Sequence, residues 1–133
     1  MATTATFLPR AEDVLKRLDR LLARFQAMLT QQRADAAGAA LPKQMLHAQT
    51  ILENRRRDLR ASLDDRDVDR FIHELWSLGG DMAHFDFDLS RLAGADAFAR
   101  LREEISLDAL VLTKDLTDPA NRAAFVAELA ARP

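Results

Sequence analysis

The sequence predicts an all-α protein, an antiparallel bundle of four to five helices of which two or three are long. Three observations carry that expectation. Ala, Leu, Arg, Asp and Glu dominate while Gly and Pro number four each and Tyr is absent, a composition weighted towards good helix formers. The period-two alternation of β-branched residues that marks a strand appears nowhere. Apolar residues recur instead at spacings of three and four, the repeat of one helix face. The chain has 133 residues, enough to bury about two thirds of its unfolded surface in one domain without disulfides or metals. The expected organisation is a flexible N-terminus over 1–8 and a single bundle over 9–133.

The first helix is expected from Pro9 or Arg10 to about Ala36, with Pro9 suited to a first turn where its missing N–H costs nothing. Ala11, Val14, Leu15, Leu18, Leu21, Leu22, Phe25, Met28 and Leu29 span an arc of about 140°, broad enough to face two neighbours. Asp35 to Pro42 reads as a loop around Gly38. A second helix follows from about Pro42 to Leu63, with Leu41, Met45, Ala48, Leu52, Leu59 and Leu63 on one narrow face. Leu46 and Ile51 point elsewhere. At Asp64–Asp67 the apolar phase switches, since one continuous helix would put Val68 about 180° from Leu41. A turn is the simplest cause, with Asp64, Asp65 or Asp67 as N-cap of the next helix.

The third helix begins with the stripe Val68, Phe71, Ile72, Leu75 and resumes beyond Gly79-Gly80 with Met82, Phe85, Leu89, Leu92. The glycine pair costs roughly 2 kcal/mol inside a helix, yet the stripe drifts by only about 60° across it. The expectation is one long helix, kinked where another backbone approaches the glycines. Gly94 and Asp96 read as the C-cap of that helix and the N-cap of the next. In the fourth helix Phe98, Leu101, Ile105 and Leu112 share a face. Leu107, Leu110 and Val111 fall off it, so the helix is either buried on several sides or broken near Ser106. Thr117-Asp118-Pro119 marks a restart, with Asp118 as N-cap and Pro119 in the first turn. A final Ala-rich helix carries Phe125, Val126 and Leu129.

Composition excludes several chemistries. With no cysteine there is no disulfide, thiolate metal site or cysteine nucleophile; that usage fits a reducing compartment, and cytoplasm is the expected location. No apolar run approaches a membrane span, and Met1–Leu8 lacks the apolar core of a secretory signal. The conspicuous run Arg55-Arg56-Arg57-Asp58-Leu59-Arg60 lies within 53–70, where six Arg meet six Asp and Glu. A phosphate-binding surface accumulates positive charge; this one cancels, so it reads as a salt-bridged face and nucleic acid is not an expected partner. Neither a nucleophile elbow nor a phosphate loop is present.

His73, Asp81 and His84, with Glu74 adjacent to His73 but diverging from it, form the conceivable metal set. Only Asp81 and His84 are spaced to share a helix face, whereas a zinc site needs three or four convergent ligands and a di-iron bundle needs Glu-x-x-His pairs. Around His73, the segment His73-Glu74-Leu75-Trp76-Ser77-Leu78-Gly79-Gly80 resembles the His-x-Leu-Lys-Gly motif of histidine-phosphotransfer domains, which are helical bundles of similar size. That resemblance implies a phosphorylatable His73. It departs at Trp76, which stands where the phosphate-neutralising Lys belongs, and it covers fewer than ten residues.

The functional expectation is a non-catalytic protein, without cofactor, that binds another protein or its own copy, a dimer being the expected homo-oligomer. Apolar residues outside the core stripes motivate it: Trp76, Phe87, Leu46 and Ile51 are the interface candidates. A metal- or small-ligand-binding bundle using His73, Asp81 and His84 is the alternative, and a phosphotransfer-like module ranks below it.

Overall fold

A computed structural model describes residues 6–35, 40–85 and 93–132, with side chains over 6–31, 43–85 and 93–132. Among the described residues five α-helices follow one another: α1 (Phe7–Asp35), α2 (Ala40–Asp64), α3 (Val68–His84), α4 (Ala95–Leu116) and α5 (Pro119–Ala130). The expected Phe87, Leu89 and Leu92, and the side chain of Leu41, lie outside the described residues.

Helices α1 to α4 form a ring in which each packs mainly on its two neighbours, and α5 closes one end against α1, α3 and α4. Polar pairs across the two seams of α1 fix the direction. Glu12, Asp19 and Gln26 along α1 meet Arg60, Arg56 and Gln49 in descending order along α2. Arg10 and Arg17 likewise meet Asp115 and Asp108 of α4. The bundle is antiparallel, as the short connections require.

The core follows most of the predicted stripes, although Leu22, Ile72 and Leu101 are only half-buried and Leu78, which no stripe included, joins it. Leu18, Leu21, Phe25, Met45, Leu52, Leu59, Leu63, Leu75 and Leu78 are completely buried, each stabilising the fold by roughly 1.5–3 kcal/mol. Two edge-to-face aromatic pairs anchor opposite ends: Phe25 with Phe98 at 5.2 Å between centroids, and Phe71 with Phe125 at 5.5 Å. These aromatics are therefore divided between the two ends of the bundle, and among the described residues of the aromatic-rich stretch around α3 only Phe71 occupies the deep core.

Local capping behaves as the residue types dictate at two joints. Asp67 caps α3 by accepting from the Arg70 amide, and Asp118 caps α5 by accepting from the Ala120 and Asn121 amides with Pro119 in the first turn. Between α2 and α3, Arg66 adopts the left-handed region at φ 56°. The Arg66 amide donates to the Leu63 carbonyl and the Asp67 amide to that of Ser62, the paired bonds that close a helix C-terminus around a left-handed residue.

Four expectations need correction. Helix α1 starts at Phe7, and Phe7 and Leu8 pack on the core, so the bundle begins before residue 9. Helix α3 passes through Gly79-Gly80 without interruption but ends at His84 with Phe85 extended, earlier than its apolar stripe suggested. The neighbour at the glycines is a side chain: a Cβ on Gly79 would sit 3.3 Å from Leu110 Cδ2, and one on Gly80 would meet nothing within 4 Å. Helix α4 is unbroken, and its N-cap is Gly94 at φ 83°, which places Asp96 inside the first turn. There the Asp96 carboxylate still faces the positive end of the helix dipole.

Candidate interaction surface

The charged residues that looked most like chemistry turn out to clamp helices together. Arg55 of α2 donates from Nε to Asp81 Oδ2 at 2.9 Å and from a terminal nitrogen to Glu74 Oε2. Glu74 and Asp81 stand two turns apart on one face of α3, and their side chains are only 13% and 18% exposed. Burial pushes the Arg55 guanidinium down, but the bonds to Asp81 and Glu74 outweigh it and hold it above its usual value. Arg60 makes a two-pronged pair with Glu12 at 3.0 and 2.8 Å. The bond from Arg60 holds the Glu12 carboxyl below the ordinary carboxylate range against its partial burial, and raises Arg60 in turn. The arginine run is thus a salt-bridged face, as its charge balance implied, with Arg55, Arg56 and Arg60 spanning helix seams.

This arrangement scatters the metal candidates. Asp81 is engaged by Arg55, while His73 and His84 are exposed. Eleven residues separate the two histidines, about 16 Å along the axis, beyond the reach of one ion. Among the described residues no group of three or more His, Asp or Glu is placed to hold a metal. At the phosphotransfer-like segment, Glu74 turns to Arg55, and Trp76, in the place of the Lys, is 62% exposed.

The interface candidates divide. Trp76 and Leu46 are exposed, Ile51 is half-buried beside Arg55, and Phe87 is outside the described residues. Trp76 sits about 200° around α3 from Glu74, so it faces away from α2, and Leu46 of α2 cannot share a surface with it. Trp76 therefore stands apart from Leu46 and Ile51.

A different group joins Trp76. Leu107, Leu110 and Val111 of α4 are 61%, 48% and 44% exposed, on a helix whose inner face buries Phe98, Ile105, Ala109, Leu112 and Leu116. Relative to Ile105 they lie at about 200°, 140° and 240°, centred opposite the core. Leu110 leans onto Gly79 of α3, one helical turn from Trp76. On the other flank, Leu107 and Val111 line a shallow groove of about 270 Å³ with Arg10, Val14 and Arg17 of α1. Gly79 allows this close approach, because a Cβ there would push Leu110 outward by a few tenths of an ångström. The sequence signal was present: these three residues fall off the α4 core face at spacings of three and four, the mark of a second apolar stripe. What it could not show is that no helix among the described residues covers that stripe.

No helix among the described residues is long and apolar enough to cross a membrane. Comparison with protein-family models, curated proteins and solved structures finds no match to this chain.

Proposed function

We propose that the protein is a non-catalytic association module that docks on another protein surface through the outward crest of α4 and the adjoining Trp76. The observation that carries this reading is the exposure of Leu107, Leu110 and Val111 on one face of α4, with Leu110 over Gly79, one helical turn from the exposed Trp76. Isolated surface leucines are ordinary, whereas a clustered set rimmed by polar residues marks an interaction site, and Trp is the side chain most enriched among interface anchors. The ionisable groups support a structural rather than a chemical role. Glu12, Arg55 and Arg60, whose pKa values are displaced, are each committed to interhelical pairs, whereas a catalytic group must be free to exchange a proton with substrate.

A photo-crosslinking amino acid placed at position 110 of the full chain in living cells tests the reading. The expected result is a discrete adduct absent when the same group is placed at position 57, on α2 across the bundle. Adduct formation at position 110 no greater than at 57 would overturn it.

A further inference from the structure

We infer that the surface which docks on this crest is a second copy of the chain, paired antiparallel along α4 about a two-fold axis. The inference rests on the association reading above and adds the partner and the register. Glu103, Leu107, Leu110 and Lys114 all fall within an arc of about 60° directly opposite the buried face of α4. Their spacings of four, three and four are those of a coiled-coil seam, with the leucines at its centre and a charge of opposite sign at each end. All four are exposed, and among the described residues neither Glu103 nor Lys114 forms an ion pair within its own chain.

The order of charges selects the orientation. Two copies of α4 laid antiparallel, with the axis between Asp108 and Ala109, set Leu107 of one against Leu110 of the other. The same register sets Glu103 against Lys114 at both ends, so the patch is complementary to itself, as an isologous contact must be. A parallel pair would oppose Glu103 to Glu103 and Lys114 to Lys114. Sliding the antiparallel pair by three residues would bring Lys114 against Arg100. Only one register joins leucine to leucine and acid to base together. Trp76 and Val111, on the two flanks, extend the apolar contact beyond the seam.

Charge exchange tests this in the full-length protein. Sedimentation equilibrium should detect a monomer–dimer equilibrium in the wild type. Glu103→Lys and Lys114→Glu each turn two attractive contacts into two repulsive ones, and each is expected to weaken dimerisation about 30-fold at low salt. An equimolar mixture of the two variants restores attraction at both ends, and so does the double variant carrying both changes; both should dimerise close to the wild-type strength. These positions are exposed, so unchanged circular dichroism and melting behaviour verify that the fold is kept. A wild type that stays monomeric at several hundred micromolar overturns the self-pairing, while the crosslink at position 110 still decides whether another protein docks there. A wild type that dimerises but ignores the exchanges overturns the α4 register and leaves association through another face.

Discussion

Replacing Arg55 by Met should expose how far the bundle depends on one guanidinium. The aliphatic part of the side chain is preserved, but Glu74 and Asp81 lose their common cation while 13% and 18% exposed. Breaking a fully buried pair by removing one partner costs about 3–5 kcal/mol. Here all three groups keep an edge in water, which cuts the loss to about 2 kcal/mol, mostly the repulsion and desolvation of two unpaired carboxylates. With an unfolding entropy near 0.28 kcal/mol/K for a chain of this size, the melting temperature should fall by about 7 °C. Urea denaturation followed by far-ultraviolet circular dichroism is the suitable assay, because Trp76 is already 62% exposed and its fluorescence would report unfolding poorly. The triple variant Arg55→Met, Glu74→Gln, Asp81→Asn removes the stranded charges and should recover at least half of the lost stability. A single variant costing under about 0.5 kcal/mol, or a triple variant as unstable as the single, would refute the reasoning.

Gly80→Ala should stabilise α3 by about 0.5–1 kcal/mol, since nothing opposes the new Cβ and helix propensity favours Ala. Gly79→Ala should gain less, because Leu110 must move by a few tenths of an ångström; equal gains in thermal melts would contradict the contact. Glu12→Gln has a pH signature. The Arg60 bond depresses the folded-state carboxyl below 4.5, so its stabilisation is complete above the unfolded value and disappears as pH falls through the folded one. The stability gap between wild type and variant should thus be level near neutrality and close below about pH 4; a gap that widens on acidification argues against the pair. Glu128→Ala removes the acceptor for the Phe7 and Leu8 amides, at 2.9 and 3.0 Å. It should cost about 1 kcal/mol, and amide hydrogen exchange should quicken over the first turn of α1 alone; uniform quickening would point to global loss instead.

Helix content, the number of helices and most core positions were legible in the sequence because they follow from periodicity and local chemistry. The arc from Val14 to Leu29 could face nothing but neighbours. Asp67 and Asp118 cap helices through amides two or three residues away, and the phase reversal at Asp64–Asp67 required a turn. The balance of six arginines against six acids between 53 and 70 correctly pointed to internal pairing. Of the candidate surface, Trp76 was found and Leu107, Leu110 and Val111 were noticed as off-face, but their exposure could not be read, since burial on a second side produces the same pattern.

What only the tertiary structure decided is where several helices stop and which polar groups meet. Glu128 reaches across from α5 to take the first amides of α1, so that helix begins at Phe7. Arg102 of α4 donates to the carbonyls of Met82 and Phe85, both at 2.7 Å, and satisfies the end of α3 at a point where its own sequence carries no stop signal. Arg66 donates to the Leu129 carbonyl at 3.0 Å, at the far end of α5. In each case an anion meets a helix N-terminus or a cation a C-terminus, as the dipole favours. The partners are 17 to 121 residues apart in the chain. Periodicity sees only the few residues that share a helix face, whereas unsatisfied amides and carbonyls accept any donor or acceptor that packing brings within reach. The sequence by itself therefore determined the helices and their buried faces, and the packing determined their ends, their ion pairs and the apolar crest left uncovered on α4.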